Sequence, residues 1–189
     1  DHRDLHLSLR RQRQMCIRDS LLDVPCGDFN WMRFVMAESS IQYIGGDIVQ
    51  DLIKSNNQRY IDKNISFINL DLTKGPLPTA DLLLCRDCLF HLSYEDIKNT
   101  LEVFLSSSVS YLLTTSSAAP ESARLTNTNI ITGDMRQLDL FAPPFNVSSS
   151  DVLELFQDSM ISSSTKRWMI LLKKPAVQKI LGSMENSKY

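Results

Sequence analysis

The chain has 189 residues, 43% of them hydrophobic, which suits one domain with a sizeable core. A formal net charge of -2 and a pI near 5.9 supply no broad attraction to nucleic acid or to anionic membranes, so neither is an expected partner. No apolar run approaches the roughly 20 residues needed to span a bilayer, so a cytoplasmic location is expected; the oligomeric state is left open.

Residues 1–20, DHRDLHLSLRRQRQMCIRDS, are Arg-rich and show no sustained period of 3.6 or 2. Their end, RRQRQMCIRDS, resembles translated sequencing-library adapter, so 1–20 is expected to be a non-native extension; a basic arm and a targeting peptide are the rival readings. Removing the segment takes away five Arg and three Asp, moves the formal charge from -2 to -4, and leaves His91 as the single histidine. The expected domain then runs from 21 to 175, with a C-terminal tail at 176–189.

Apolar strands alternate with helical segments from Leu21 onward, the pattern of a parallel sheet covered on both faces. LLDVPCGDFNWM, Leu21 to Met32, reads as a buried strand, a tight turn at Gly27 and the start of a helix, with Trp31, Phe34 and Val35 on one side. A second strand, Ile41 to Gly46, ends in Asp47, an acid about 20 residues beyond the turn, where a carboxylate can accept both hydroxyls of a ribose. Ile48 to Tyr60 is an expected helix with Ile48, Leu52 and Ile53 inward. Ile65 to Leu70 is strand three, followed by Asp71.

TKGPLPTA is a loop, because Gly and two Pro forbid both helix and central strand. Asp81 to Arg86 is strand four, its unbroken leucines suggesting burial on both faces. Ser93 with Asp96 three residues later signals a helix start, and the helix runs to about Leu105 with Ile97, Leu101, Val103 and Phe104 as its core face. Ser110 to Thr115 is strand five. The alternation then fails from Ser117 to Asp139 and through FAPPFN, a long excursion of the kind that carries substrate contacts. VLELFQ and RWMILLKK follow as an antiparallel hairpin, and PAVQKILGSMENSKY as a short helix with a frayed tail.

This order of motifs resembles the class I S-adenosylmethionine-dependent methyltransferases over roughly Leu21 to Lys174. The family's first motif is an acid followed by alternating glycines; Asp23, Pro25, Gly27 and Phe29 stand at those places, so only the middle glycine is kept. CRDCLFHL and GDMRQLDLFAPPF resemble segments of an uncharacterised bacterial subgroup of that family. The resemblance implies a Rossmann-like methyltransferase fold, a mostly parallel seven-stranded sheet with helices on both faces and a C-terminal antiparallel hairpin. It also implies S-adenosylmethionine as cofactor, a small-molecule methyl acceptor as partner, and no metal.

Carried over residue by residue, the resemblance puts Asp23 near the methionine amino group and Gly27 where the chain approaches the ligand. Asp47 would hold the ribose. Asp71 and Leu72 would meet the adenine, and Arg86 the methionine carboxylate or an anionic substrate. Pro25, Cys26 and Ile48 complete the expected cofactor-facing set, and Asp87 and His91 are the expected catalytic residues, His91 as general base.

Each has a plainer reading. His91 in LFHL could be a packed histidine, and Asp47 and Asp71 could be strand-end acids capping the next helix. Cys85 and Cys88 form a lone CxxC, read as core packing, and Cys26 as a small apolar side chain. Asp134 and Arg136 read equally as a surface ion pair or as functional residues. An NAD-dependent Rossmann-type enzyme and a non-catalytic domain that binds a nucleoside ligand or a partner protein are the alternative functions.

Overall fold

The computed structural model describes residues 20–120, 125–158 and 167–187. Residues 1–19 of the segment expected to be an extension lie outside it; the last of that segment, Ser20, is the first residue of β1. The strands are β1 (Ser20–Asp23), β2 (Gln42–Asp47), β3 (Ile65–Asn69), β4 (Leu82–Cys85), β5 (Tyr111–Ser116), β6 (Val152–Asp158) and β7 (Arg167–Lys173). They form one sheet in the order β3-β2-β1-β4-β5-β7-β6. The first five pair parallel, and β7 enters antiparallel between β5 and β6, as the expected fold class requires.

The helices are α1 (Met32–Ala37), α2 (Gln50–Tyr60), α3 (Tyr94–Ser106) and α4 (Lys174–Asn186). Two apolar clusters cover the two faces of the sheet. One joins Leu22, Leu83 and Ile170 to α3 and α4; the other joins Leu21, Leu84 and Leu171 to α1 and α2. All four residues of β4 are buried, the result of neighbours on both sides and helices on both faces.

Helix phases differ from the sequence reading in two places. In α1 the inward residues are Met32, Val35 and Met36, at i, i+3 and i+4, while Phe34 is 58% exposed and lies under the Arg33 guanidinium at 4.6 Å. Ile48 lies outside α2 and is 65% exposed, because the Asp47 carboxylate takes the Val49 N–H at 2.9 Å and delays the helix to Gln50. The C-terminal helix is thirteen residues long and starts at Lys174, and its Ala176, Val177, Ile180, Leu181 and Met184 are buried in the α3 side of the core.

The start of α3 follows its sequence signal in part. Ser93 Oγ accepts the Asp96 N–H at 3.1 Å, as an N-cap should. The reciprocal half of the capping box is supplied from far along the chain: the Ser93 N–H donates to Thr132 Oγ1 at 2.9 Å, and the Thr132 hydroxyl donates to the Asp96 carboxylate. The Tyr94 N–H donates to Asn129 Oδ1 at 2.8 Å. The excursion after β5 thus meets the orphan donors that every helix start carries.

Candidate functional site

The strand order reverses between β1 and β4, and the crevice outside their carboxyl ends is where open α/β sheets take ligands. Asp23, at the end of β1, is buried, and Tyr43 on β2 donates its hydroxyl to Asp23 Oδ2 at 2.7 Å. Burial outweighs that bond and raises the Asp23 pKa to about 7, with Arg86 pulling it down and Asp47 pushing it up. Burial likewise pushes the Tyr43 hydroxyl and the Cys26 thiol well above their ordinary values, which disfavours the thiolate form of Cys26.

After Asp23 the chain stays on the sheet for two more bonds, Val24 N–H to Leu84 O at 2.9 Å and Cys26 N–H to Gly46 O at 2.8 Å. The peptide between Val24 and Pro25 is cis. Gly27 then turns with φ 56°, and a Cβ built on it meets nothing within 4 Å, so open space lies before the turn. Its N–H donates to Asp47 Oδ2 at 3.2 Å, and its carbonyl accepts from Asn56 Nδ2 at 2.8 Å. The other Asp47 oxygen is the one that holds Val49. One buried carboxylate therefore joins the first turn to the start of α2.

Phe29 shows how the turn forms with one glycine. It adopts φ 59°, the left-handed region that costs a side-chain residue about 1–2 kcal/mol. Its ring is buried and touches Tyr43, Tyr60 and Phe67 at centroid distances of 5.0, 5.3 and 5.1 Å. Full burial of such a side chain contributes about 1.5–3 kcal/mol, which offsets the backbone cost.

Asn69, at the end of β3, donates to the carbonyls of both Asp47 and Ile48 at 2.9 Å, anchoring the rim beside Asp47. Asp71 sits in a local turn: Oδ1 accepts from the Thr73 N–H at 3.0 Å and the Thr73 hydroxyl at 2.7 Å, and Oδ2 faces Lys74 at 2.8 Å. The Lys74 hydrogen bond, with Thr73, lowers its pKa. Leu72 beside it is buried.

Beyond β4, Arg86 lies over the Trp31 ring at 5.0 Å and donates Nε and Nη2 to Asp158 at 2.9 and 2.8 Å, tying the first turn to β6. Asp87 has φ 53°, a shape held by its N–H donating to Thr115 Oγ1 at 2.9 Å, and its carboxylate takes Arg167 Nη1 at 2.8 Å. Cys85 and Cys88 are free thiols; contact with Cys88 and burial raise the Cys85 pKa, which accords with packing. Arg136 makes no ion pair with Asp134 among the described residues. It donates Nη1 to the Leu92 carbonyl at 2.7 Å, and His91 Nδ1 lies 2.9 Å from the Asp134 carbonyl oxygen.

Asp23, Gly27, Asp47 and Arg86 thus line adjacent strand ends, with Asp87 and His91 on the following turn. Tyr43, Asn56, Asn69 and Asp158 complete the arrangement and were not singled out from sequence. Asn56 and Asn69 carry one available signal: Asn56 lies three residues after Ile53 on the inward face of α2, and Asn69 is next to last in the expected strand Ile65 to Leu70. Among the described residues no group of three His, Cys, Asp or Glu could hold a metal ion, and no helix is long and apolar enough to cross a membrane.

No family model matches the chain, and no curated protein matches it in sequence. Solved structures match in fold. Human N-acetylserotonin methyltransferase in complex with SAM is 16% identical, with a TM-score of 0.59 over 81% of this chain and 46% of that one. Magnesium protoporphyrin IX methyltransferase from Synechocystis PCC 6803 with bound SAM is 13% identical, with a TM-score of 0.63 over 90% of this chain and 77% of that one. A structure described as a pericyclic reaction enzyme is 9% identical, with a TM-score of 0.59 over 84% and 44%. The chain spans under half the length of the first and the last of these.

Proposed function

We propose that the protein transfers a methyl group from S-adenosylmethionine to the oxygen or nitrogen of a small molecule. The observation that carries this reading is the open cradle before Gly27, floored by the buried carboxylate of Asp47 on the neighbouring strand end. Solved structures with this fold hold SAM. The residues suit such a ligand: Asp47 offers a carboxylate to ribose hydroxyls, Asp23 a buried acid to an amino group, and Arg86 a cation to a carboxylate.

S-adenosylmethionine supplies a methyl group on a good leaving group, so the protein's part is mainly orientation. Asp47 and Gly27 position the ribose end, and Arg86 the amino-acid end. Asp87 fixes Arg167 and the turn that carries His91. His91 takes the proton from an acceptor OH or NH as the new bond forms, a contribution of typically 10²–10⁴-fold. A non-methylating reading has one supporting observation, the pericyclic reaction enzyme of the same fold.

Calorimetry with S-adenosylhomocysteine against NAD tests the cofactor. Micromolar binding of the first and none of the second is expected, and a folded sample that binds only NAD sinks the proposal. Binding without methyl transfer across an acceptor panel favours the non-methylating reading.

A further inference from the structure

The excursion after β5 closes on the turn after β4 by donating to its backbone carbonyls. The Gly133 N–H donates to the His91 carbonyl at 2.8 Å, the Arg136 N–H to the Phe90 carbonyl at 3.2 Å, and Arg136 Nη1 to the Leu92 carbonyl at 2.7 Å. Three successive carbonyls are therefore taken by a stretch of four residues. The His91 ring answers in the other direction, with Nδ1 at 2.9 Å from the Asp134 carbonyl oxygen. A carbonyl only accepts, so Nδ1 must be the donor. The neutral ring then carries its hydrogen on Nδ1 and its lone pair on Nε2.

The position of that carbonyl depends on two residues. Gly133 has φ 106°, a conformation that side chains rarely adopt, and the turn is closed by the Asp134 N–H donating to the Ile131 carbonyl at 3.1 Å. Arg136 is half-buried beside the Tyr94 ring at 5.3 Å, and burial lowers its pKa. Thr132 pins the near side of the same turn to the start of α3.

We propose that Gly133 and Arg136 are positioning residues that hold His91 in its Nδ1–H tautomer, leaving Nε2 as the proton acceptor of the ring. The inference deepens the methyl-transfer reading, which uses His91 as base, yet the tautomer is a property of the free chain. Its test therefore needs no cofactor.

Long-range ¹H–¹⁵N correlation of the imidazoles in the full ¹⁵N-labelled chain, at about pH 8.5, about two units above the reference histidine value, reads the tautomer directly. His91→Gln assigns the signals. Wild type is expected to show a pyrrole-type Nδ1 and a pyridine-type Nε2; a dominant Nε2–H form overturns the proposal. Gly133→Ala and Arg136→Leu are each expected to shift the ring toward the Nε2–H form. An unchanged ring in both overturns the positioning role. Should Gly133→Ala fail to fold, Arg136→Leu, which removes a half-buried charge, keeps the test open. In the methylation assay both variants are expected to lose kcat by about ten- to a hundredfold with KM for cofactor nearly unchanged. Failure to bind S-adenosylhomocysteine would refute the function and leave the tautomer result standing.

Discussion

Tyr43 donates its hydroxyl to Oδ2 of Asp23 at 2.7 Å, and the pair is sealed between β1 and β2. The acid's pKa is raised from 3.8 to about 7 by burial, so the folded state holds a proton that the unfolded chain releases. This contribution is fully present below pH 3.8 and is lost as pH rises through about 7. Asp23→Asn keeps an acceptor for Tyr43 and cannot ionise. Wild type should therefore lose stability relative to Asp23→Asn between about pH 4 and about pH 8, by at most about 4 kcal/mol. Urea midpoints across that range check this, and a difference that stays constant with pH would refute it.

Asp47 holds Gly27 and Val49 at once, and under the proposed function it also holds the ribose. Asp47→Ala is expected to weaken S-adenosylhomocysteine binding by about 1.5–3 kcal/mol, the size of one bond to a charged group. Calorimetry gives the answer. Unchanged affinity would reduce Asp47 to a brace for the turn.

Phe29 combines a buried ring with a left-handed backbone, so its substitutions separate the two effects. Phe29→Ala should cost about 3–5 kcal/mol through the lost ring. Phe29→Gly loses the same ring but relieves the backbone, and should be about as stable as Phe29→Ala or up to about 1 kcal/mol better. A glycine variant clearly less stable than the alanine one would contradict the conformation of Phe29.

Two further glycines should respond with opposite signs. A Cβ on Gly46 would lie 2.9 Å from Val24 Cγ2 and within 3.2 Å of Leu70, so Gly46→Ala should cost about 1–3 kcal/mol by overpacking. Gly182 lies inside α4 with nothing within 4 Å of its Cβ position, so Gly182→Ala should stabilise by about 0.5–1 kcal/mol. Thermal or urea unfolding of the two variants decides both.

The order of strands and helices, the doubly buried β4, the closing hairpin and the Ser93 cap are all legible in the sequence, because each rests on periodicity or on contacts within a few residues. Asp47 stands out for the same reason: it lies where a strand ends. The inward faces of α1 and α2 are harder to read. Their phase depends on where the preceding turn releases the chain, and at α2 Asp47 itself sets that point.

What sequence alone determined is the alternating α/β layout and the row of acids at its strand ends, because local hydrophobic patterns carry that information along the chain. What only the tertiary structure decided is who meets whom across it: Tyr43 on Asp23, Asn56 on Gly27, Asp158 on Arg86, and the Gly133–Arg136 stretch on His91. Those pairs are 20 to 72 residues apart, and the path between them includes turns whose backbone angles no local pattern specifies. The direction of the hydrogen on His91 is therefore decided by a carbonyl that folding alone delivers.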